Sequence, residues 1–422
     1  MKRKGFMLIA GETSGDTLAA ELVQALRQEA GSGTAPCTWD YQPLYGSFEP
    51  RFFGAGGPRM AAAGVELAFD MTAHSVTGIS DVLKNYPKFR RLFKQLYELA
   101  LSREPDAIIC VDFSGFNRRF AHAVREYVRE HLDWFHDWNP KIIQYVSPQV
   151  WASRESRVYQ MAKDFDLVLS IFPFERDWYA ARVPDLQVEF VGHPIIDRYG
   201  SPKRVTEQES TVEMKSPAVL LLPGSRPDEL ARHLPVLLGA LDKIRVEFPQ
   251  VRAQMVLPNE ALVTQARELG MPGNVQVQIG GLADALRQAD LAIASTGTVT
   301  LECACFGVPA VTLYKTSWLT WQIAKRIVTV KYAAMPNLLA TEEVFPEFIQ
   351  DAATADNVAR ASIELLRNAE RRRKIKEKLA RIVASLGPPG AARRAARAVM
   401  ELLGAVVENE QAQCAAALES AV

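Results

Sequence analysis

An excess of charge of either sign is missing from this chain. Its 422 residues carry 49 Lys plus Arg against 49 Asp plus Glu, a formal net charge of zero. No global field therefore points to nucleic acid, and any charged partner must meet a local patch. Long apolar runs are missing too: none approaches the ~18 residues that span a bilayer. The N-terminus, MKRKGFMLIAGE, starts like a secretory signal, but its apolar part runs only from Phe6 to Ala10 before a glycine turn. That is too short for a signal core, so a cytoplasmic protein is expected. Cysteine is scarce and scattered, at Cys37, Cys110, Cys303, Cys305 and Cys414. The odd count offers no disulfide framework, and the C-x-C at 303–305 lacks the second Cys or His pair of a zinc site. Reduced, partly buried thiols are expected, and no metal.

What is present is a globular pattern. Hydrophobic residues make up 48% and charged residues 23%, and the length suits two domains with ample core. Strand-like runs alternate with helical periods almost throughout: FMLIA (6–10), AIICVDF (107–113), KIIQYVS (141–147), LVLSIF (167–172) and VEFVG (188–192). Residues 31–50 have no clear period and read as a loop. Residues 200–217 are polar, free of aromatics and bounded by prolines, which marks a linker. The pattern then restarts with AVLLL (218–222), RAQMVLP (252–258), VQVQI (275–279), DLAIAS (290–295) and PAVTLY (309–314). Two strand-helix series predict an α/β protein: two Rossmann-like domains with parallel sheets, 1–199 and 218–385, facing across a cleft. Residues 386–422 form a C-terminal helix and tail that could pack back on the first domain.

The first strand runs into GETSGD (11–16), where nucleotide phosphates often sit. Yet this turn holds Glu12 and Asp16 and has no lysine or arginine. It also lacks the Lys-Ser/Thr of a P-loop. GAGGPRM (54–60) begins like a dinucleotide fingerprint, but Arg59 stands where the last glycine belongs.

Two loops in the second series suit a nucleotide better. PGSR (223–226) follows a buried strand. Gly224 allows close backbone approach, Ser225 offers a hydroxyl and Arg226 a planar fork for phosphate, although a surface arginine in a turn would look the same. In STGTVTLE (295–302) a strand ends and Thr296, Gly297 and Thr298 begin a helix, whose free N–H groups and dipole favour an anion. Glu302 lies one turn after Thr298 on the same face. It could accept from both ribose hydroxyls, or be a solvated glutamate on a capped helix.

In the first series Asp112 ends AIICVD, at the rim where α/β folds place reactive groups. It could take a proton from an attacking hydroxyl, or cap the next helix. YVSPQVWASR (145–154) adds a second carboxyl-end loop. His193, between glycine and proline, is assigned no chemistry.

AGETSGD (10–16), GAGGPRM (54–60), VDFSGFN (111–117), YVSPQVWA (145–152), VGHP (191–194), LLPGSR (221–226), STGTVTLE (295–302) and MPNLLA (335–340) together resemble the lipid-A-disaccharide synthase family, in its order. The resemblance implies the GT-B architecture and an inverting, metal-independent glycosyltransferase. It would join UDP-2,3-diacylglucosamine to 2,3-diacylglucosamine 1-phosphate, giving a β-1,6-linked disaccharide 1-phosphate and UDP. It makes Asp112 the base, Arg226 a diphosphate contact, and Glu302 and Asn337 donor-side residues. Glu12, Ser14 and Asp16 are then expected to shape the glucosamine side, with Asn117 and Ser147 also on the acceptor side. This chain departs from the family at Gly115, where a second acid is frequent, at Ser153, where tryptophan is frequent, and over 31–50, which is longer.

Acyl-chain substrates imply contact with the inner face of the inner membrane. Within VLKNYPKFRRLFKQLYELAL (82–101), apolar residues recur at helical steps and basic residues crowd the other faces. Phe89, Arg90, Arg91, Phe93 and Lys94 are the expected contacts, unless the stripe packs on its own core. SWLTWQIAKRIVTVKY (317–332) sets two tryptophans among basic residues, a pattern suited to an interface or to burial. A homodimer is plausible. Rival readings are a GT-B transferase using UDP-N-acetylglucosamine, a UDP-sugar 2-epimerase, or a non-catalytic UDP- or lipid-binding scaffold.

Overall fold

A computed structural model of the protein describes residues 3–30, 48–74, 79–200 and 216–404. Most of the loop expected over 31–50, most of the 200–217 linker and the end of the tail lie outside the described residues. The structure forms two compact units. One gathers residues within Met1–Val150 and Glu155–Pro194 with those from Pro389 on. The other gathers Trp151–Arg154 and Ile195–Pro388.

The first unit is built on seven parallel strands: β1 (Arg3–Ala10), β2 (Glu49–Gly56), β3 (Glu66–Asp70), β4 (Ala107–Val111), β5 (Lys141–Tyr145), β6 (Leu167–Ser170) and β7 (Gln187–Phe190), in the order β3-β2-β1-β4-β5-β6-β7. Phe6 to Ala10 and Ala107 to Val111 are wholly buried, as continuous apolar runs must be when helices cover both faces of a sheet. The second unit has six parallel strands: β8 (Ala218–Leu222), β9 (Arg252–Leu257), β10 (Gln276–Ile279), β11 (Leu291–Ser295), β12 (Ala310–Tyr314) and β13 (Glu347–Ile349), in the order β10-β9-β8-β11-β12-β13. Three strands go beyond the sequence pattern. β2 carries two glycines, β3 alternates exposed with half-buried residues, and β13 is three residues long.

Both sheets reverse direction beside their first strand. In the first unit this happens between β1 and β4, with Ala10 paired to Val111. In the second it happens between β8 and β11, with Leu222 paired to Ala294. At such a reversal the two flanking helices leave on opposite faces and open a crevice at the carboxyl ends of the strands. The loops after Ala10 and Val111 are therefore neighbours, as are those after Leu222 and Ser295.

The helical residues 391–404 belong to the first unit. An alanine-rich face (Ala391, Ala395, Ala396, Ala398) is buried with Val399 and Leu403. Arg394 Nε donates to the Val191 carbonyl at 2.8 Å, and Arg393 pairs with Glu29 at 3.0 Å.

Asp16 does not face a sugar. It lies in α1 (Thr13–Glu29), is 1% exposed, and accepts from the backbone N–H groups of Gly57, Arg59 and Met60 at 2.8–3.0 Å. These are first-turn donors of α2 (Pro58–Ala62), which have no partner inside their own helix. The carboxylate thus ties the GETSGD turn to GAGGPRM. Asp16→Ala would strand two buried donors and one part-buried donor and should destabilise the protein by about 2–4 kcal/mol. Urea unfolding checks this, and a midpoint equal to wild type would refute the tie.

Candidate active site

Asp112 is displayed by an unusual turn. Asp112 and Phe113 both take left-handed backbone, φ 49° and 43°, a conformation that costs roughly 1–3 kcal/mol per non-glycine residue. Several contacts hold it. The Asp112 N–H donates to the Tyr145 carbonyl at 2.9 Å. Its carbonyl accepts from Asn117 Nδ2 at 2.9 Å and Gln144 Nε2 at 3.3 Å. The Phe113 ring stacks on Phe116 at 5.5 Å and covers Gly11, where a Cβ would come within 2.3 Å of it. Gly11 is therefore the floor on which Phe113 rests.

Burial raises the Asp112 pKa above the ordinary carboxylate value, and the negative charge of Glu12 raises it further, against a hydrogen bond from the Phe113 N–H. A carboxylate tuned upward is better matched to accepting a proton near neutrality. Glu12 and Ser14 are exposed beside it, and Glu12 makes no capping bond to α1.

Asn117 and Ser147 are not displayed. Asn117 lies on the buried face of α4 (Ser114–His131), and its amide also reaches the carbonyls of Ile9 at 3.4 Å and Val111 at 3.3 Å. The Ser147 hydroxyl is buried and donates to Tyr179 Oη at 3.0 Å. Both positions serve the scaffold. The residues that the sequence reading missed here are Gln144, Phe113 and Gly11.

In the second unit Gly224 has φ +114°, and a Cβ there would meet the Glu229 carboxylate at 2.4 Å. That carboxylate accepts from the Ser225 N–H at 3.2 Å and pairs with Arg226 at 3.3 Å. Arg226 is 51% exposed, and an exposed pair is weak enough for the guanidinium to turn to a phosphate. Across the strand reversal, no side chain caps the helix Thr298–Cys305, Thr298 is exposed, and Thr296 and Gly297 are half-buried. The Thr296 and Thr300 N–H groups donate to the Leu313 and Gly297 carbonyls, so the anion-binding capacity of this helix start rests on the N–H groups between them. Glu302 accepts from Tyr199 Oη at 2.7 Å, and its burial raises the carboxyl pKa.

Asn337 is a correction. It is fully buried. Its amide donates to the Phe345 carbonyl at 2.8 Å and Glu347 Oε2 at 3.1 Å, while its oxygen accepts from the N–H groups of Val344 and Phe345. All four hydrogen bonds an asparagine amide can make are used inside the protein, so it folds the 337–347 loop and has none left for a donor.

The membrane set divides. Phe93 meets Phe116 at 5.4 Å and Phe120 at 5.7 Å, and Phe89 packs on the same core. Within α3 (Ile79–Arg103) this part of the apolar stripe covers its own domain, which is why it recurs at helical steps. Arg90, Arg91 and Lys94 are exposed. The side chains of Val82 to Tyr86 lie outside the described residues.

The chain carries one D-x-D triplet, Asp164-Phe165-Asp166, which the sequence reading passed over. Asp164 is 2% exposed and accepts from Gln160, and Asp166 pairs with Arg125. Both carboxylates are committed to the fold. Among the described residues no group of three or more His, Cys, Asp or Glu side chains could hold a metal ion.

His233 is a further support that spacing did not reveal. It is buried in the helix Pro227–Glu247, where Nδ1 lies 2.7 Å from the Pro223 carbonyl and Nε2 accepts from the Lys315 N–H at 2.9 Å. This neutral tautomer fastens the PGSR loop to the segment after β12. Burial lowers its pKa from the ordinary value of 6.5. The unfolded chain therefore takes up this proton first, and the stabilisation is present above about pH 6.5 and lost as pH falls below it. Replacing His233 by Ala should cost about 2–3 kcal/mol at pH 8 and flatten the loss between pH 6.5 and 5. Denaturant unfolding across that range checks it, and an unchanged slope would refute it.

A family profile described as lipid-A-disaccharide synthetase matches residues 6–401. The lipid-A-disaccharide synthase of Geobacter sulfurreducens is 35% identical over 94% of this chain and 97% of its own length. That of Myxococcus xanthus is 33% identical over 94% and 97%. Among solved structures, a putative UDP-N-acetylglucosamine 2-epimerase from Listeria monocytogenes aligns with a TM-score of 0.55 at 14% identity, covering 94% of this chain and 96% of that one. The calicheamicin glycosyltransferase CalG4 aligns at 0.51 and 15%, covering 96% and 100%. These two share the fold alone; the identity over full length with the synthases goes further. The chain belongs to the lipid-A-disaccharide synthase family of GT-B glycosyltransferases.

Proposed function

We propose that this chain transfers 2,3-diacylglucosamine from UDP-2,3-diacylglucosamine to the 6-hydroxyl of 2,3-diacylglucosamine 1-phosphate. The observation that carries the reading is the pairing of loops at the two strand reversals. Asp112 stands beside the Glu12 turn, and PGSR stands beside STGT. Asp112 accepts the acceptor hydroxyl proton as that oxygen attacks the anomeric carbon. The bond from that carbon to the UDP oxygen breaks, the configuration inverts, and UDP leaves with the electron pair. Arg226, the Ser225 loop and the helix N-terminus at Thr296–Thr298 offset the charge on the diphosphate, and Glu302 accepts from the ribose. Exposed Glu12 and Ser14 serve the acceptor sugar. The UDP co-structure of S. aureus MnaA, a protein of this fold, supports a UDP-sugar as substrate. With acyl-chain substrates the enzyme works peripherally at the inner face of the inner membrane. No described helix is long and apolar enough to cross a bilayer.

Mass spectrometry of the purified protein with both substrates and EDTA should show the disaccharide 1-phosphate. Asp112→Asn should lower the rate about 10²–10⁴-fold while UDP binding is kept. No product with UDP bound would turn the reading to a scaffold, and product from the UDP-sugar alone would turn it to an epimerase. The pH profile tests the base separately. Since Asp112 must be deprotonated to act, the rate falls on the acid side through its raised pKa. Glu12→Gln removes a neighbouring negative charge and should move that limb to lower pH. A limb that stays in place would separate Glu12 from the base.

A further inference from the structure

The helix Trp318–Ile327 is exceptional in having no buried residue. Trp318 is 74% exposed and Leu319 64%, with Ile323 exposed as well. At about 100° per residue these three fall on one side of the helix, and Arg326 lies between them. An isolated ten-residue helix in water is marginal, yet this one is fastened at both ends. On the entry side the Lys315 N–H donates to His233 and the Thr316 N–H to Gln350, and Ser317 caps the first turn by accepting from the Thr320 N–H. On the exit side Val328 bridges Ser153, and the Thr329 N–H donates to the Ala152 carbonyl at 3.0 Å. The protein holds the helix in place without covering it.

Its charge is one-sided. No acidic residue occurs between Glu302 and Glu342, while Lys315, Lys325, Arg326 and Lys331 all fall there. Lys325 sits over the Trp321 ring and Lys331 over the Tyr332 ring. A cationic helix with exposed tryptophan and leucine matches an anionic headgroup layer, into which the apolar side chains dip while the cations meet phosphates. The other exposed aromatic pair, Trp134 and Phe135, lies between Asp133 and Asp137, which such a layer repels. Position agrees as well. β12 lies beside β11, with Leu313 paired to Ser295, so the helix departs from the rim that carries the STGT loop. We infer that the Trp318–Ile327 helix is a docking element for an anionic bilayer surface, seated beside the donor loops. The inference rests on the proposed lipid-linked substrates for its purpose, but its test does not.

Flotation with phosphatidylglycerol–phosphatidylethanolamine vesicles at low salt should recover the wild-type protein, and phosphatidylcholine vesicles should not. The pairs Trp318→Ser with Leu319→Ser, and Lys325→Gln with Arg326→Gln, should each lower recovery about tenfold. Their turnover of detergent-dispersed substrates should stay within about twofold of wild type. Wild-type protein that stays unbound, or variants that float equally well, would overturn the inference. So would variants that keep flotation but lose self-association in sedimentation, which would make this face a contact with a second copy. Flotation behaving as expected without any disaccharide in detergent would strike the proposed reaction and leave the docking element standing.

Discussion

The amide of Asn117 is the interaction on which the Asp112 turn of the first unit depends. At the carboxyl edge of a parallel sheet the last carbonyls run out of ladder partners. Asn117 gathers those of Ile9, Val111 and Asp112, from two adjacent strands, and Gln144 adds a second donor to Asp112. A buried carbonyl left unpaired costs about 1–3 kcal/mol, comparable to the cost of each left-handed residue in the turn. The same contacts that satisfy the sheet edge therefore hold a strained loop in place. Among the polar side chains of that turn, the Asp112 carboxylate is not used to satisfy the sheet edge.

The second unit is organised in the opposite way. Arg226 is half-exposed and joined to Glu229 three residues away, and Thr298 is exposed. These groups are adjustable where Asp112 is locked. The contrast suits the proposed chemistry: a base must be held within a narrow geometry of one proton, whereas a diphosphate presents several oxygens that an arginine fork and a row of N–H groups can meet in more than one way.

Much of this was legible in the sequence, for a physical reason. Buried parallel strands are continuous apolar runs, so β1, β4, β8 and β11 stand out as such, and the candidate site loops follow from where those runs end; β7 and β10, which have no buried residue, show instead as short β-branched segments between helical patterns. Strands whose faces are half-wet or interrupted by glycine, such as β2 and β3, leave no such trace. The errors among site residues have a shared cause. Asp16, Asn117, Ser147 and Asn337 lie in the same motifs as the reactive groups, and a motif does not say which of its polar side chains point inward. Burial separates them: each is at most 4% exposed and bonded within the chain. The apolar stripe of α3 misled similarly, because a core face and a lipid face have the same period.

Gly11 and Phe113 lie 102 positions apart in the chain, yet one exists as space for the other. The turn that presents Asp112 is moulded against an absence in a different βα unit, so neither segment carries the design alone. A chimera that exchanged the first strand and helix for those of another GT-B protein would inherit the active-site geometry only if the incoming turn left the same hollow. In this protein the N-terminal turn and the fourth-strand loop form a single unit, bridged by an aromatic ring, whose two halves must be exchanged together.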